Sequence, residues 1–464
     1  LDTASSRQGS DRLRDWLLNP LTDADQIAAR QRLVAEISPR FCDRLAQIGR
    51  GAAVGDPRVN TQRLLDWMEL EPVERISGWF VALLGFICLV TAVLFVLGTR
   101  GQIPPYYVIS FVVYAGLSLT KARVAMTFWN LAMELQDVFN GLNGIFNYFE
   151  RTPVAGKPAL AALVMPFQDQ QRPSRQLRRL RRIIAAGGLQ ANAIAWILAN
   201  VIMPWDLYFA YRLSVERHKL SRLIPIWLGI WHELEALAAL RTFAHLNPDY
   251  HTPMLVPGSN GFATQQIGHP LIDHDERVCN DFTINGLGQV VLITGSNMSG
   301  KSVFLRTVGV NLVLARIGAV VCADSLSSDV FRLYSCIQIS DSLVEGYSYF
   351  YAEVRRLKSL LDALGADDPL PLFFLIDEIF KGTNNRERLE GSRAYITWLI
   401  GQHGLGLVTT HDLELASIGG LINCHFSDSV DSGELTFDYR LRSGVSPTTN
   451  ALRIMALAGL PVSV

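Results

Sequence analysis

Residues 76–99 read ISGWFVALLGFICLVTAVLFVLGT and contain no charged side chain; residues 101–120, GQIPPYYVISFVVYAGLSLT, contain none either. Only Arg100 stands between the two runs, beside the turn residues of GQIPP. A helix of about 20 apolar residues crosses a hydrocarbon core of ~30 Å. Trp79 lies near the start of the first run, and Tyr106 and Tyr107 open the second, where aromatic rings sit at a membrane interface. Arg75 precedes the pair, and Lys121 and Arg123 follow it. Positive flanks at both ends place them on the cytoplasmic side. The expectation is a transmembrane helical hairpin over 76–120. The competing reading is a helical hairpin buried in a large core.

The rest of the chain must be compatible with that hairpin. Its 464 residues suggest two to four structural units. A mean hydropathy of +0.20 fits a membrane-associated protein. Lys and Arg total 42 against 43 Asp and Glu, a net charge of −1, so no general attraction to nucleic acid is advertised, although a local patch is not excluded. The 6 cysteines are scattered without a C-x-x-C pair, which argues against a disulfide framework or a zinc site. A reducing, cytosolic setting is the simplest fit. The chain begins at Leu1 without a signal-peptide pattern, and a processed or trimmed N-terminus is expected.

A third uncharged run, IIAAGGLQANAIAWILANVIMPW at 183–205, is interrupted by Gln190, Asn192 and Asn200. Three spans would put the segments on either side of it across the membrane from each other. It is therefore read as a buried helix of the soluble part. Just before it, RPSRQLRRLRR (172–182) carries Arg172, Arg175, Arg178, Arg179, Arg181 and Arg182. A solvated basic face is the first reading, an anionic lipid surface the second, and nucleic-acid phosphates the third.

From Gln289 onward the pattern turns to strand, loop and helix. VVLIT (290–294) is β-branched and apolar, as a buried strand should be. Gly295, Ser296, Asn297, Met298, Ser299, Gly300, Lys301 and Ser302 then fit G-x-x-x-x-G-K-[ST], followed by Val303 at the start of a helical pattern. Glycines let backbone N–H groups converge on phosphate oxygens, the lysine reaches the β- and γ-phosphates, and the serine hydroxyl ligates Mg2+. A helix N-terminus behind the loop favours the anion further. A second apolar strand, PLFFLIDEI (371–379), ends in Asp377 and Glu378. Asp377 is suited to the magnesium shell and Glu378 to positioning and polarising water. A third, GLGLVTT (404–410), ends at His411, where an imidazole can contact the γ-phosphate.

These residues resemble the MutS family, whose ATPase domain is of the ABC type. The likeness lies in TGSNMSGKS, IGAVVCADS (317–325), ISDSLVEGYSYFYAEV (339–354), DEIFKGTNNRERLEGSRA (377–394), TTHDLELA (409–416) and VSPTTNALRIMALAGLP (445–461), in family order. Weaker likeness lies in LRDWLLNPLTDADQIAARQRLVAEI (13–37) and WHELEALAALRTFA (231–244), which look like parts of the family's helical core. The hairpin stands where relatives have long levers leading to a DNA clamp, and no F-x-E mismatch-reading wedge is found in its context. The resemblance implies that Asn297 lies near the γ-phosphate. It puts Ser348 on a signature serine that acts across an ATPase dimer, with Tyr347 and Tyr349 replacing the family's neighbours of that serine. Gly382, Thr383 and Asn384 fall in a dimer-facing loop. The adenine-stacking aromatic of relatives maps to Arg277 and Val278, where a guanidinium would have to stack instead.

The expected fold is thus an α/β P-loop NTPase (ABC-type) C-terminal domain joined to an all-α core carrying a transmembrane hairpin. The expected division is 1–75 and 121–250 for the core, 76–120 for the hairpin and 251–464 for the ATPase domain. Catalytic roles fall to Glu378, Lys301, His411 and Ser348, metal ligation to Ser302 and Asp377, with ATP and Mg2+ as cofactors. The resemblance implies a homodimer; the hairpin places it at a bacterial-type cytoplasmic (inner) membrane, with an unidentified membrane or cytosolic partner and DNA as a further candidate. The alternative is an ABC transporter-type ATPase, disfavoured because EGYSYF stands where L-S-G-G-Q would be and little chain separates Gly295 from Asp377. A soluble DNA-remodelling protein and an inactive scaffold rank below it.

Overall fold

The computed structural model describes residues 1–52, 58–69, 76–169, 172–187, 189, 192–296, 298–337, 349–380, 384–431 and 434–446. The chain folds as two units, one from Leu1–Arg14 and Glu36–Ala239, the other from Asp15–Ala35 and Leu240–Val464.

The first unit is helical. Helix α1 (Arg7–Leu18) begins in it, α2 (Ala24–Glu36) lies in the second unit but for Glu36, and the first unit continues with α3 (Pro39–Ala52), α4 (Gln62–Glu69), α5 (Gly78–Thr99), α6 (Tyr107–Glu134) and α7 (Gln136–Glu150). Next come α8 (Pro158–Gln168), α9 (Pro173–Gly187), α10 (Ala193–Ile202), α11 (Trp205–Leu220) and α12 (Ile224–Leu246). Helix α7 buries Phe139, Leu142, Ile145, Phe146 and Phe149, the 3–4 spacing that makes one face of a helix apolar. Phe146 packs against Phe167 of α8 at 5.3 Å and Trp227 of α12 at 5.9 Å between ring centroids. The N-terminus is tied in by Glu235, a buried carboxylate that accepts the Ser5 and Ser6 backbone N–H groups at 3.1 and 3.2 Å and both serine hydroxyls. Four donors on one carboxylate compensate much of the desolvation that burial imposes.

Helices α5 and α6 form the hairpin expected from the sequence, and both are long and apolar enough to cross a membrane. Thr91 and Ser110 hydroxyls meet at 2.7 Å between them, and Phe95 stands edge-on to Tyr107 at 5.3 Å. One side of the pair packs on α11 through Leu84, Cys88, Tyr114, Ala125, Leu207 and Ala210. Elsewhere on the hairpin Phe86, Leu89, Val93, Val112 and Leu119 are exposed. Helix α6 does not stop at residue 120: it continues through Lys121 and Arg123 to Glu134, 28 residues in all.

The run 183–205 departs from expectation. It is not one buried helix. It supplies the end of α9, the separate ten-residue helix α10, and the start of α11, with α10 and α11 bent by 83°. No residue of α10 is buried. Pro204 lies at the break; it offers no N–H to continue the helix.

The second unit holds two sheets. In the smaller, β1 (Met254–Leu255), β5 (Ser325–Ser328), β2 (Phe262–Ile267) and β3 (Asn280–Ile284) lie in that order. The larger runs β10 (Glu434–Ser443), β9 (Leu421–Asp431), β4 (Val290–Thr294), β8 (Gly404–Thr410), β7 (Leu372–Asp377), β6 (Arg332–Cys336). All its pairings are parallel except β10 with β9. Every residue of β4, β7 and β8 is buried, as parallel strands covered on both faces require. Helix α13 (Lys301–Arg316) follows β4, while α14 (Tyr349–Gly365) and α15 (Asn385–Leu399) pack Leu357, Leu360, Leu364, Ile396 and Leu399 against the sheet.

Residues 15–35, expected in the helical core, belong to this second unit. The Arg316 guanidinium donates to the Leu21 and Pro20 carbonyls at 2.9 and 3.0 Å, Gln31 donates to the Pro253 carbonyl at 3.0 Å, and Arg30 stacks over Trp16 at 3.7 Å.

Candidate nucleotide-binding site

The loop between β4 and α13 is built on backbone conformations that a side chain would oppose. Gly295 has φ +147°, and a Cβ there would fall 2.7 Å from the Phe426 carbonyl oxygen. Gly300 has φ +104° and forms the N-cap of α13. Met298, at φ +69° and well exposed, carries the loop's tip. The Ser299 hydroxyl donates to the Ser296 carbonyl at 2.9 Å, closing the turn. The buried Lys301 ammonium donates to the Gly295 and Ser296 carbonyls at 2.8 and 2.7 Å. Its charge is thereby held over the loop, beside the N-terminus of α13, where backbone N–H groups favour an anion.

Strand order brings the acid–base groups to this loop. β8 lies between β4 and β7, so residues just after its end stand beside both the loop and the carboxylates. His411 Nδ1 is 2.9 Å from the Gly295 carbonyl oxygen and 3.4 Å from Lys301 Nζ. Its Nε2 is 2.6 Å from Glu378 Oε1; the approach is close but too poorly aligned for a hydrogen bond. The Thr409 hydroxyl donates to Asp377 Oδ1 at 2.6 Å, and the Glu378 N–H reaches the Thr409 carbonyl and hydroxyl oxygens, each at 3.2 Å. Glu378 itself adopts φ +52°, a region that costs a non-glycine residue energy and turns its side chain out of the strand's alternation. Arg388 of α15 grips Asp412 with two bonds of 3.0 Å, fixing the turn just after His411. The spacing of Arg388 and Asp412 in the sequence gave no signal of this clamp.

A cavity of about 400 Å³ opens over the loop, lined by Ser299, Gly300, Lys301, Ser302, Val303 and Glu378 among others. Ile267, Val278, Phe426 and Tyr439 are among the residues of its apolar walls. Arg277 is not a wall residue. Its side chain is 8% exposed, paired to Asp249 at 2.9 Å and donating to the Tyr250 hydroxyl at 2.9 Å. The expectation that Arg277 stacks on a base is therefore overturned, because its guanidinium is engaged by Asp249 and Tyr250 and does not line the cavity. Tyr439, delivered by β10, is an aromatic of the wall together with Phe304 and Phe426. Asn280 fixes it by donating to the Tyr439 carbonyl at 3.0 Å and accepting from the Leu441 N–H at 2.7 Å.

Ser302 and Asp377 supply a hydroxyl and a largely buried carboxylate on the two segments that converge here. Among the described residues no group of three or more His, Cys, Asp or Glu side chains could hold a metal alone. Two protein oxygens fit Mg2+, which is commonly held by one or two side chains together with substrate phosphates and water. Asn297, Ser348, Gly382 and Thr383 lie outside the described residues. Asn384 is described, and its side chain caps α15 by accepting the Glu387 N–H at 3.0 Å.

A phosphate loop between a central parallel strand and a helix, with two carboxylates two strands away, defines a P-loop NTPase-type ATPase domain. Residues 291–464 match the family model described as MutS domain V, so this part of the chain is MutS-like. Among curated relatives, the DNA mismatch repair protein MutS 2 of Halobacterium salinarum is 32% identical over 262 residues, covering 54% of this chain and 30% of that protein. The DNA mismatch repair protein MutS of Natronomonas pharaonis is 29% identical over 240 residues, covering 50% of this chain and 27% of that protein. MutS 2 of Haloarcula marismortui is 29% identical over 292 residues, with 56% and 30% covered. The matched region thus spans less than a third of these relatives.

Proposed function

We propose that this chain is a membrane-anchored MutS-type ATPase. It binds ATP with Mg2+ in an ABC-type domain, hydrolyses it slowly, and couples closure and reopening of a dimer to movement of its helical core. The observation that carries this reading is the convergence of Lys301, His411 and Glu378 within a few ångströms on one loop and two adjacent strands. In it the loop N–H groups and Lys301 hold the β- and γ-phosphates, and Ser302 and Asp377 hold Mg2+, which neutralises charge on the transferred phosphoryl group. Glu378 orients and deprotonates the attacking water, with His411 between it and the loop carrying the γ-phosphate. Tyr439, whose ring lies against Gly300 of the loop, offers a flat apolar surface to the bound nucleotide.

The exposed apolar faces of α5 and α6 support the membrane anchor, since such an area in contact with water is rare on monomeric soluble proteins. Resistance of the chain to carbonate extraction, abolished by deleting 76–120, tests it; a monodisperse protein without detergent overturns it. The dimer is tested by mixing Ser348→Ala with Lys301→Ala chains. If the site is shared, one of the two sites in the mixed dimer is intact, and turnover rises above that of either variant alone. No recovery despite subunit exchange overturns a shared site whose two halves fire independently.

A second reading, in which the helical unit binds nucleic acid, has its own observation. Arg172, Arg175, Arg179, Lys219 and Arg222 line a cleft of about 650 Å³ between α9 and α11, with Glu216 its carboxylate. Affinity for duplex DNA that falls steeply with salt would favour this reading over a solvated basic face.

A further inference from the structure

Helix α10 has no place in the ATPase chemistry and no cover in the helical unit. Ile194, Ile197, Leu198, Val201 and Ile202 are open, the first and last 74% exposed. Ten residues make about 15 Å of helix, half of what a span needs. A helix this short and this apolar would be a liability on a surface facing water.

Most of its polar groups are closed on themselves, Asp206 Oδ1 being the exception. Asn192 caps the helix by accepting the Ala195 N–H at 3.1 Å, and Asn200 donates to the Trp196 carbonyl at 3.1 Å. The Trp196 indole donates to Asp206 at 2.7 Å, and the Asp206 N–H reaches Asn200 Oδ1 at 3.3 Å. Internal satisfaction of this kind is what a hydrocarbon environment imposes, because no water is there to serve as partner. Asp206 turns Oδ2 inward to the indole, as ionisable groups at membrane depth turn to protein partners.

The hairpin fixes the depth. Tyr114 of α6 donates its hydroxyl to the Asn200 carbonyl at 2.5 Å. Leu207 and Ala210, just after the bend, pack in the same cluster as Leu84 and Cys88. Cys88 lies about 15 Å along α5 from Gly78, near the middle of that helix. So α10 sits beside the uncharged middle of the hairpin, not beside the charged ends at Lys121 and Arg123. The 83° bend then turns the chain back along α11.

We propose that α10 and the bend at Met203–Pro204 form a re-entrant membrane element, with the open face of α10 against lipid acyl chains and α9 and α11 both emerging on the same side. This rests on the membrane reading of the hairpin. It leaves the ATPase domain and the basic helix α9 on one side without a third span.

The test uses the full chain in liposomes, with Cys279→Ser removing the one thiol that is not buried. An environment-sensitive fluorophore is placed on Ile197→Cys, on Leu89→Cys in the hairpin, and on Leu271→Cys, which is 86% exposed in the second unit. Ile197 and Leu89 labels should be quenched by spin-labelled lipid and shielded from iodide, and the Leu271 label should behave in the opposite way. An Ile197 label quenched by iodide while Leu89 is quenched by lipid overturns the re-entrant element and leaves the anchor standing. A label shielded from both means that protein covers α10, a second copy included, and overturns it as well. Iodide access at Leu89 instead overturns the membrane reading. Impermeant thiol reagents on Arg175→Cys and Arg222→Cys complete the test: labelling of both from one side of sealed vesicles is expected, and labelling from opposite sides means a full span.

Discussion

His411 Nε2 stands 2.6 Å from Glu378 Oε1 while its Nδ1 stands 2.9 Å from the Gly295 carbonyl oxygen. One ring therefore connects the phosphate loop to the carboxylate best placed to act as base, across two strand boundaries.

That connection predicts separable lesions. Glu378→Gln should leave ATP binding near wild type and lower turnover by about 100-fold or more, the scale of a positioned general base. Lys301→Ala should weaken nucleotide binding itself. Equilibrium binding of a fluorescent ATP analogue beside steady-state phosphate release distinguishes them, and equal turnover in Glu378→Gln and wild type removes Glu378 from the role.

Tyr439 should matter to affinity through its ring and not its hydroxyl. Tyr439→Phe should bind ATP like wild type, and Tyr439→Ala about ten-fold more weakly, in line with the loss of one aromatic stacking contact. Calorimetric titration with ATP checks this, and an unchanged Tyr439→Ala affinity assigns the base to another wall.

Gly406 tests the sheet. It pairs with Phe374 across β8 and β7, and a Cβ there would lie 2.1 Å from the Phe374 carbonyl oxygen. Gly406→Ala should cost about 1–3 kcal/mol, the usual penalty for overpacking. Gly419→Ala, with nothing near its added methyl, should be close to neutral. Urea unfolding of both variants makes the comparison.

Acid should weaken the helical unit through His232. Burial, with the Arg12 guanidinium adding to it, pushes this imidazole down to about 4. The unfolded chain then takes up a proton near pH 6.5 that the folded chain refuses. Stability from this group is complete above about pH 6.5 and is lost as pH falls towards 4, up to about 3 kcal/mol for a shift of that size. His232→Gln, whose amide can still meet the Thr61 hydroxyl that lies 3.4 Å from the ring, should lose less stability than wild type between pH 7.5 and 5. Equal losses in the two proteins would place the acid sensitivity elsewhere.

The sequence was most informative where the chemistry is local. Loop, lysine and serine are contiguous, and the strands carrying Asp377, Glu378 and His411 are uniformly apolar because both their faces are covered. Tyr439 was invisible since its position depends on β10 folding back antiparallel on β9, with an irregular register between Phe437 and Leu441. Arg277 was misjudged for a related reason: Asp249 and Tyr250 claim its guanidinium from a distant segment. The run 183–205 was misjudged because absence of charge identifies an apolar environment without saying whether protein or lipid provides it.

The uninterrupted course of α6 has a mechanical consequence. Its 28 residues extend about 42 Å, some 12 Å more than a hydrocarbon core of ~30 Å requires. If its outer turns are held by lipid, as the proposed anchor requires, the helix would have its fulcrum at the bilayer surface near Lys121. A tilt of about 10° there would displace the Glu134 end, about 20 Å further along, by roughly 3 Å, of the order of the small helix shifts that packed interfaces amplify into switching.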